Sequence, residues 1–308
     1  LFGLPGVIAL GWFCAWLLFG ELSLWELAVL ATVLAATDAA LGKAVVTNKA
    51  VPGRIRESLN LESGLNDGLC VPILLLFIAL ATAGTGEADT LSLAVRFFAQ
   101  ELGIGIVVGL AVAAGGSGLY QQAWQRGWIA KVWRQLPVVM LALACFAIAQ
   151  TLHGSGFIAT FVGGLLFGYL AERHAHDLVM DSEGLGETLG MLTWALFGAV
   201  VIPEVIDALN WRVVVYALLS LTVIRMLPIV LSLAGTQERL ESRLFLAWFG
   251  PRGLESIVFA VIVLNNDLPG AELISVVVVV TIILSAFAHG MTARPLASAL
   301  AKRLQSQE

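Results

Sequence analysis

The chain has 308 residues, 59% of them hydrophobic and 13% charged, with a mean hydropathy of +0.90; soluble domains carry about 25% charge, so an ordinary soluble fold is excluded. A net charge of -5 without any basic stripe excludes nucleic acid as a partner. Cys14, Cys70 and Cys145 lie in apolar runs at spacings that fit neither a zinc site nor a disulfide framework, which leaves them as small buried hydrophobes.

What remains is an all-α polytopic membrane protein. Apolar stretches near spanning length predict ten helices in chain order, at 1–20, 24–42, 61–83, 97–119, 136–152, 155–171, 187–203, 211–234, 243–264 and 271–291. The first, LFGLPGVIALGWFCAWLLFG, opens without Met or a basic lead and reads as the continuation of a longer protein whose earlier spans are missing. The closing ARPLASALAKRLQSQE reads as a complete exit from the membrane, giving a transmembrane domain over 1–291 and a short tail over 292–308. Lys and Arg collect on the cytoplasmic side of membrane proteins. Alternating ten spans puts Lys43, Lys49, Arg54, Arg56, Arg126, Lys131, Arg134, Arg173, Arg239, Arg243, Arg294, Lys302 and Arg303 on one side and only Arg96 and Arg212 on the other. The C-terminus is therefore expected in the cytoplasm.

Five charges fall within spans or at their mouths: Asp38, Glu62, Asp67, Arg225 and Arg252. Each costs roughly 2.5–3.5 kcal/mol at mid-membrane on insertion scales, so a functional reason is expected. Thr37 and Asp38 stand inside the second span, followed by small residues and Gly42. A helix interrupted there turns a backbone carbonyl and a carboxylate toward a cavity. On the third span Ser63 and Asp67 are four apart and share a face, with Glu62 and Asn66 one step around. Thr37, Asp38, Ser63 and Asp67 offer only oxygen ligands, which suits a hard cation such as sodium rather than zinc or copper. A carboxylate able to hold either that cation or a proton has the chemistry of an exchanger.

In the second half, Arg225 precedes Pro228 by three residues, and Arg252 sits in AWFGPRGLESIVFAVIVL, where Gly250, Pro251 and Gly253 break a helix at membrane depth. Two interrupted helices in corresponding positions point to an inverted-repeat transporter, with the first three spans paired to the last three.

The segments TDAALGKAVV, VPGRIRESLNLESGLNDG, GSGFIATFVGGLLFG, IRMLP and FGPRGLESIVFAVIVL, in that order, resemble the first cation:proton antiporter family, the bacterial sodium/proton antiporters related to animal sodium/hydrogen exchangers. The resemblance implies a thirteen-helix inverted-repeat fold with two broken crossing helices, of which ten remain here. It implies Asp67 as the ion- and proton-binding carboxylate, with Asp38, the Thr37 backbone and Ser63 completing a sodium site. Asn66 stands where electrogenic relatives of a second antiporter family carry an aspartate, implying electroneutral exchange of one sodium for one proton. Glu62 is implied to pair with Arg225, and Arg252 to lie where the helix ends cross. The resemblance also implies a secondary transporter rather than an enzyme, with no cofactor beyond the transported sodium and proton. A homodimer in the lipid bilayer of the bacterial inner membrane completes that picture.

The alternatives are a sodium-coupled organic-anion symporter of related fold, for which Gln150, His153 and Arg252 are the available anion-binding groups, and, further off, a channel or an intramembrane metalloenzyme. The channel lacks a continuous polar stripe, and the metalloenzyme lacks paired histidines inside a span, His174 and His176 lying in an acidic loop and His289 ending the last span. Trp124, Trp128 and Trp133 beside Arg126, Lys131 and Arg134 read as an interfacial anchor. Gly105 and Gly109, like Gly164 and Gly168, read as close-packing positions.

Overall fold

A capping box opens the second helix. Glu26 N–H donates to Ser23 Oγ at 3.3 Å, and Ser23 N–H donates to Glu26 Oε2 at 2.8 Å. The computed structural model in which this is seen describes residues 3–38, 41–48, 50–82, 87–130, 133, 136–170, 175–236 and 238–305. Among the described residues every regular element is helical: α1 Gly3–Leu18, α2 Leu24–Val33, α3 Lys43–Val46, α4 Gly53–Thr82, α5 Glu87–Gln125, α6 Leu136–Thr151, α7 Gly156–Leu170, α8 Ala175–Leu196, α9 Ile202–Ile206, α10 Trp211–Leu221, α11 Val223–Ser232, α12 Leu240–Trp248, α13 Leu254–Leu264 and α14 Ala271–Gln305. A single π turn, Phe197–Val201, joins α8 to α9.

Every predicted span has its helix, and the two predicted breaks are present. The second span stops at Val33 and resumes as the four-residue α3, leaving Thr37 and Asp38 in the gap. The ninth divides into α12 and α13 around Gly250-Pro251-Arg252-Gly253, because Pro251 has no N–H to continue the ladder and disfavours helical backbone at the residue before it. Several ends differ from the sequence estimate. α4 starts at Gly53 rather than 61, α5 at Glu87 rather than 97, and α14 runs past 291 to Gln305. Hydropathy reports depth in an apolar medium, whereas Arg54, Arg56 and Glu57 are helix formers that extend α4 beyond its apolar part. Glu62 and Asn66 consequently stand in the interior of α4, not at its head.

The chain forms two compact units, residues 1–90 with 198–308, and residues 91–197. In the first, α2 lies among α1, α4, α13 and α14, with Leu27, Val29, Leu30, Val33, Leu74, Ile274, Val277 and Ile282 fully buried. Glu26 ties the N-terminus of α2 to that of α14, because its Oε1 accepts from Gly270 N–H at 2.6 Å while the residue is 4% exposed. Glu26→Ala is therefore expected to cost about 1–2 kcal/mol of stability, the loss of a helix cap, measurable as a lowered thermal midpoint in detergent; an unchanged midpoint would show that the cap contributes nothing.

In the second unit, α6 packs on α7, and small residues bring α5 against α7. A Cβ on Gly105 would stand 2.8 Å from the Ser155 carbonyl, and one on Gly109 would overlap the Ala159 carbonyl. The partner glycine on α7 is Gly163, whose added Cβ would lie 3.2 Å from the Gly109 carbonyl; Gly164 and Gly168 face open space instead. The reading of Gly164 and Gly168 as close-packing positions is therefore corrected: four glycines share α7, and its rotation decides which of them faces a neighbour. The Arg126 guanidinium lies 5.0 Å from the Trp128 ring centre, within cation–π range. Lys131, Arg134 and His174 fall outside the described residues.

Candidate ion-binding site

The two breaks cross, and each supplies the charge that the other's helix end needs. At the C-terminal end of α2 the carbonyls of Ala35 and Ala36 accept from Arg252 Nη1 at 3.3 and 2.8 Å, and the Val33 carbonyl accepts from Ser256 Oγ at 3.2 Å. At the N-terminal end of α13 the Leu254 N–H donates to Asp38 Oδ2 at 2.9 Å. A cation at a helix C-terminus and an anion at an N-terminus both oppose the helix dipole, and the arrangement does both at once. Asp38 N–H donates to the Pro251 carbonyl at 2.8 Å, so the breaks also touch through their backbones. Gly253 makes this approach possible, since a Cβ there would overlap the Asp38 carboxylate.

Helix α4 closes the crossing from one side. Ser63 Oγ donates to the Thr37 carbonyl, and Asn66 Nδ2 donates to Thr37 Oγ1 at 3.1 Å. Ser63 and Asn66, three apart, thus converge on one threonine, while Glu62 turns to Arg225 of α11, Oε1 to Nη1 being 2.7 Å. Thr37, Asp38, Ser63, Asn66, Arg225 and Arg252 are all buried, with Arg252 at 0% exposure. Asp67 lies one turn beyond Ser63 on the backbone of α4, and its side chain falls outside the described residues. Pro72, also inside α4, removes the amide that the carbonyl of Gly68 would otherwise bond.

A cavity of about 20 Å³ is lined by Thr37, Asp38, Glu62, Ser63, Gly250 and Pro251 among others. That is room for one water molecule or one bare ion. A second cavity, of about 330 Å³, is lined by Glu62, Asn66, Arg54 and Glu238 among others, the last two 3.4 Å apart. Any solute entering it meets two carboxylates and an arginine already paired with one of them.

Three supporting residues were not foreseen as such. Ser285 Oγ accepts from the Arg252 N–H at 2.7 Å, His289 contacts both Ser285 and Trp248, and Ser256 holds α2. A signal existed for two of them: Ser285 and His289 are four apart, hence on one face, in a long apolar helix. His153 and Gln150 lie in the other compact unit from Arg252.

Two interrupted helices that exchange a carboxylate and a guanidinium at a buried crossing, with apolar helices around them, define a helical membrane protein with a candidate ion site. Among the described residues five helical stretches are long and apolar enough to cross a membrane, and five shorter apolar helices accompany them. The chain belongs to the transmembrane sodium/hydrogen exchanger family, whose family model matches residues 2–299. It is 26% identical over 249 residues to the K(+)/H(+) antiporter NhaP2 of Shewanella oneidensis, covering 78% of this chain and 41% of that protein. It is also 26% identical over 284 residues to the Na(+)/H(+) antiporter NhaH of Halobacillus dabanensis, covering 86% of this chain and 66% of that protein. The chain thus spans about two fifths of the first relative's length. The solved sodium proton antiporter MjNhaP1 of Methanocaldococcus jannaschii shares the fold, with a TM-score of 0.73 at 20% identity over 97% of this chain and 77% of that one.

Proposed function

We propose that the full protein exchanges a monovalent cation for protons across the membrane by alternating access, with Asp38, Asp67, Ser63 and the Thr37 carbonyl holding sodium or a close relative of it. The observation that carries this reading is a buried carboxylate, Asp38, beside a single-ion cavity walled by hydroxyl and carboxylate oxygens. Such a donor set and volume suit a dehydrated alkali cation and leave no room for an organic anion. The relatives are named for both potassium and sodium exchange. Asp67 is proposed to take either the cation or a proton. An uncompensated carboxylate crossing the barrier costs several kcal/mol, so only the loaded site moves, and this couples the two fluxes. Asn66, bonded to Thr37, supports an electroneutral cycle; a 100 mV potential, worth about 2.3 kcal/mol per charge, is then expected to leave turnover unchanged.

Ion pairs bear on orientation. Arg54–Glu238 and Arg303–Glu241 join residues that the loop charges assign to the cytoplasm, and Arg212–Glu21 joins two assigned to the opposite side. This supports a membrane domain over residues 1–291 with 292–308 in the cytoplasm. The resemblance supports a homodimer in the bacterial inner membrane.

The test is proton flux in everted vesicles carrying the full-length protein, after sodium, lithium or potassium is added. Asp67→Asn is expected to abolish a cation-triggered flux that the wild type shows. Undiminished flux in that variant would remove Asp67 from the mechanism, and no flux in the wild type would overturn the exchanger reading.

A further inference from the structure

His289 is 3% exposed in α14, outside the lining of the ion cavity, yet its ring joins the Trp248 carbonyl, on one side of the second break, to Ser285, which holds the Arg252 amide on the other. Nε2 is 2.9 Å from the Trp248 carbonyl, which only accepts, so Nε2 carries the hydrogen. Nδ1 lies 3.1 Å from Ser285 Oγ and 3.0 Å from the Ser285 carbonyl: a neutral ring with its hydrogen on Nε2 accepts from the hydroxyl, a ring protonated at both nitrogens donates to the carbonyl, and either way Nδ1 is held by Ser285. The Ser285 oxygen is meanwhile an acceptor for the Arg252 N–H at 2.7 Å. The result is a continuous chain of contacts, in which the Arg252 amide is held by Ser285, Ser285 by His289, and His289 by the Trp248 carbonyl. One end is the last residue of α12, the other is the residue before Gly253. Two side chains one turn apart on a continuous helix thereby fix the separation of the two lips of the break.

The clamp is reinforced around Trp248. Its Nε1–H donates to Thr292 Oγ1 at 3.0 Å, and its ring lies 5.1 Å from the imidazole. From the same break, Pro251, Arg252 and Leu254 reach Asp38 and the end of α2. Any slackening between Trp248 and Arg252 is passed directly to the Asp38 carboxylate.

We propose that His289 and Ser285 are positioning residues for the ion site, setting cation affinity through the geometry of the second break without touching the ion. The proposal rests on the exchanger reading for its transport consequence, and on hydrogen bonding alone for its structural one. Partners that orient ligands commonly change metal affinity by about 10–100-fold when removed. His289→Ala is therefore expected to raise the half-saturating sodium or potassium concentration by about ten-fold while leaving the maximal rate within a factor of about two, since the ligands themselves remain. His289→Gln keeps one donor and one acceptor on a side chain of similar reach and is expected to restore the wild-type value.

The experiment combines cation titrations of proton flux, in vesicles carrying the full-length wild type, His289→Ala or His289→Gln, with amide hydrogen exchange on the same purified proteins. Exchange in residues 249–256 is expected to rise in the alanine variant and return in the glutamine one. Unchanged exchange and an unchanged half-saturating concentration in His289→Ala would overturn the proposal. So would a loss of maximal rate that glutamine does not rescue, because that marks a fold defect. If the wild type carries no cation-dependent flux, the exchanger reading and the transport role of His289 fall together, while the exchange data still decide whether these contacts hold the break.

Discussion

Gly253→Ala is expected to reduce cation-dependent proton flux by roughly 100-fold or more in protein that still reaches the membrane. A Cβ at this position would stand 2.7 Å from Asp38 Cβ and would overlap the carboxylate itself, so the conflict reaches almost to the Asp38 backbone. The backbone is not free to retreat. Asp38 N–H is bound to Pro251, and the preceding carbonyls of Ala35 and Ala36 are bound to Arg252. Overpacking costs about 1–3 kcal/mol, and losing the Leu254 N–H bond to a charged carboxylate about 1.5–3 more; with each 1.4 kcal/mol worth about ten-fold, the site loses most of its function. Gly250→Ala provides a graded comparison. The three atoms nearest its Cβ would all belong to the guanidinium of Arg225, a side-chain end rather than the Asp38 carboxylate, so a smaller loss is expected. Gly164→Ala, with nothing near, is expected to be silent. Full flux in Gly253→Ala would show that the crossing does not hold Asp38 where the ion binds.

What the sequence made legible follows what is expensive in a membrane. Charges at depth and helix-breaking Gly-Pro pairs carry their own cost, so Asp38, Glu62, Arg225, Arg252 and both breaks stood out against the apolar background. Which group each charge met was legible only in part. That Ser63 and Asn66 would both reach Thr37, with Glu62 turned away from them, depends on how α4 is rotated against the first break. Residues that cost little to bury were correspondingly silent. Ser256 and Ser285 are small and common in apolar helices, and serine hydroxyls there usually bond their own backbone. Only the crossing, distant in sequence, gives Ser285 the Arg252 amide and Ser256 the Val33 carbonyl. The same reasoning explains the glycines of α7: close packing was foreseeable, but the facing residue was not.

The pair of Glu62 and Arg225 carries the second large expectation, and its asymmetry is the point. Arg225 is 2% exposed and Nη1 is bound to Glu62, while Nε and Nη2 have no hydrogen-bond partner among the described residues. Glu62 is 24% exposed and faces both cavities, so water can reach it if its partner is lost. Glu62→Gln leaves a buried guanidinium without its counter-charge and is expected to cost about 3–5 kcal/mol, read as a fall in the detergent thermal midpoint on the order of 10 °C. Arg225→Met leaves only a carboxylate that can hydrate, and a clearly smaller fall is expected. Replacing both partners removes the buried charge together with its need for compensation, and such replacements are often close to neutral. The double variant Glu62→Gln/Arg225→Met is accordingly expected to be more stable than Glu62→Gln alone. Measured as a double-mutant cycle, that recovery is the coupling between the two residues. Additive losses would mean that the 2.7 Å contact contributes nothing and that each side chain matters for packing by itself. If the coupling is found and cation affinity in the double variant matches the wild type, the pair is a brace between α4 and α11, separate from the oxygens around Thr37 and Asp38.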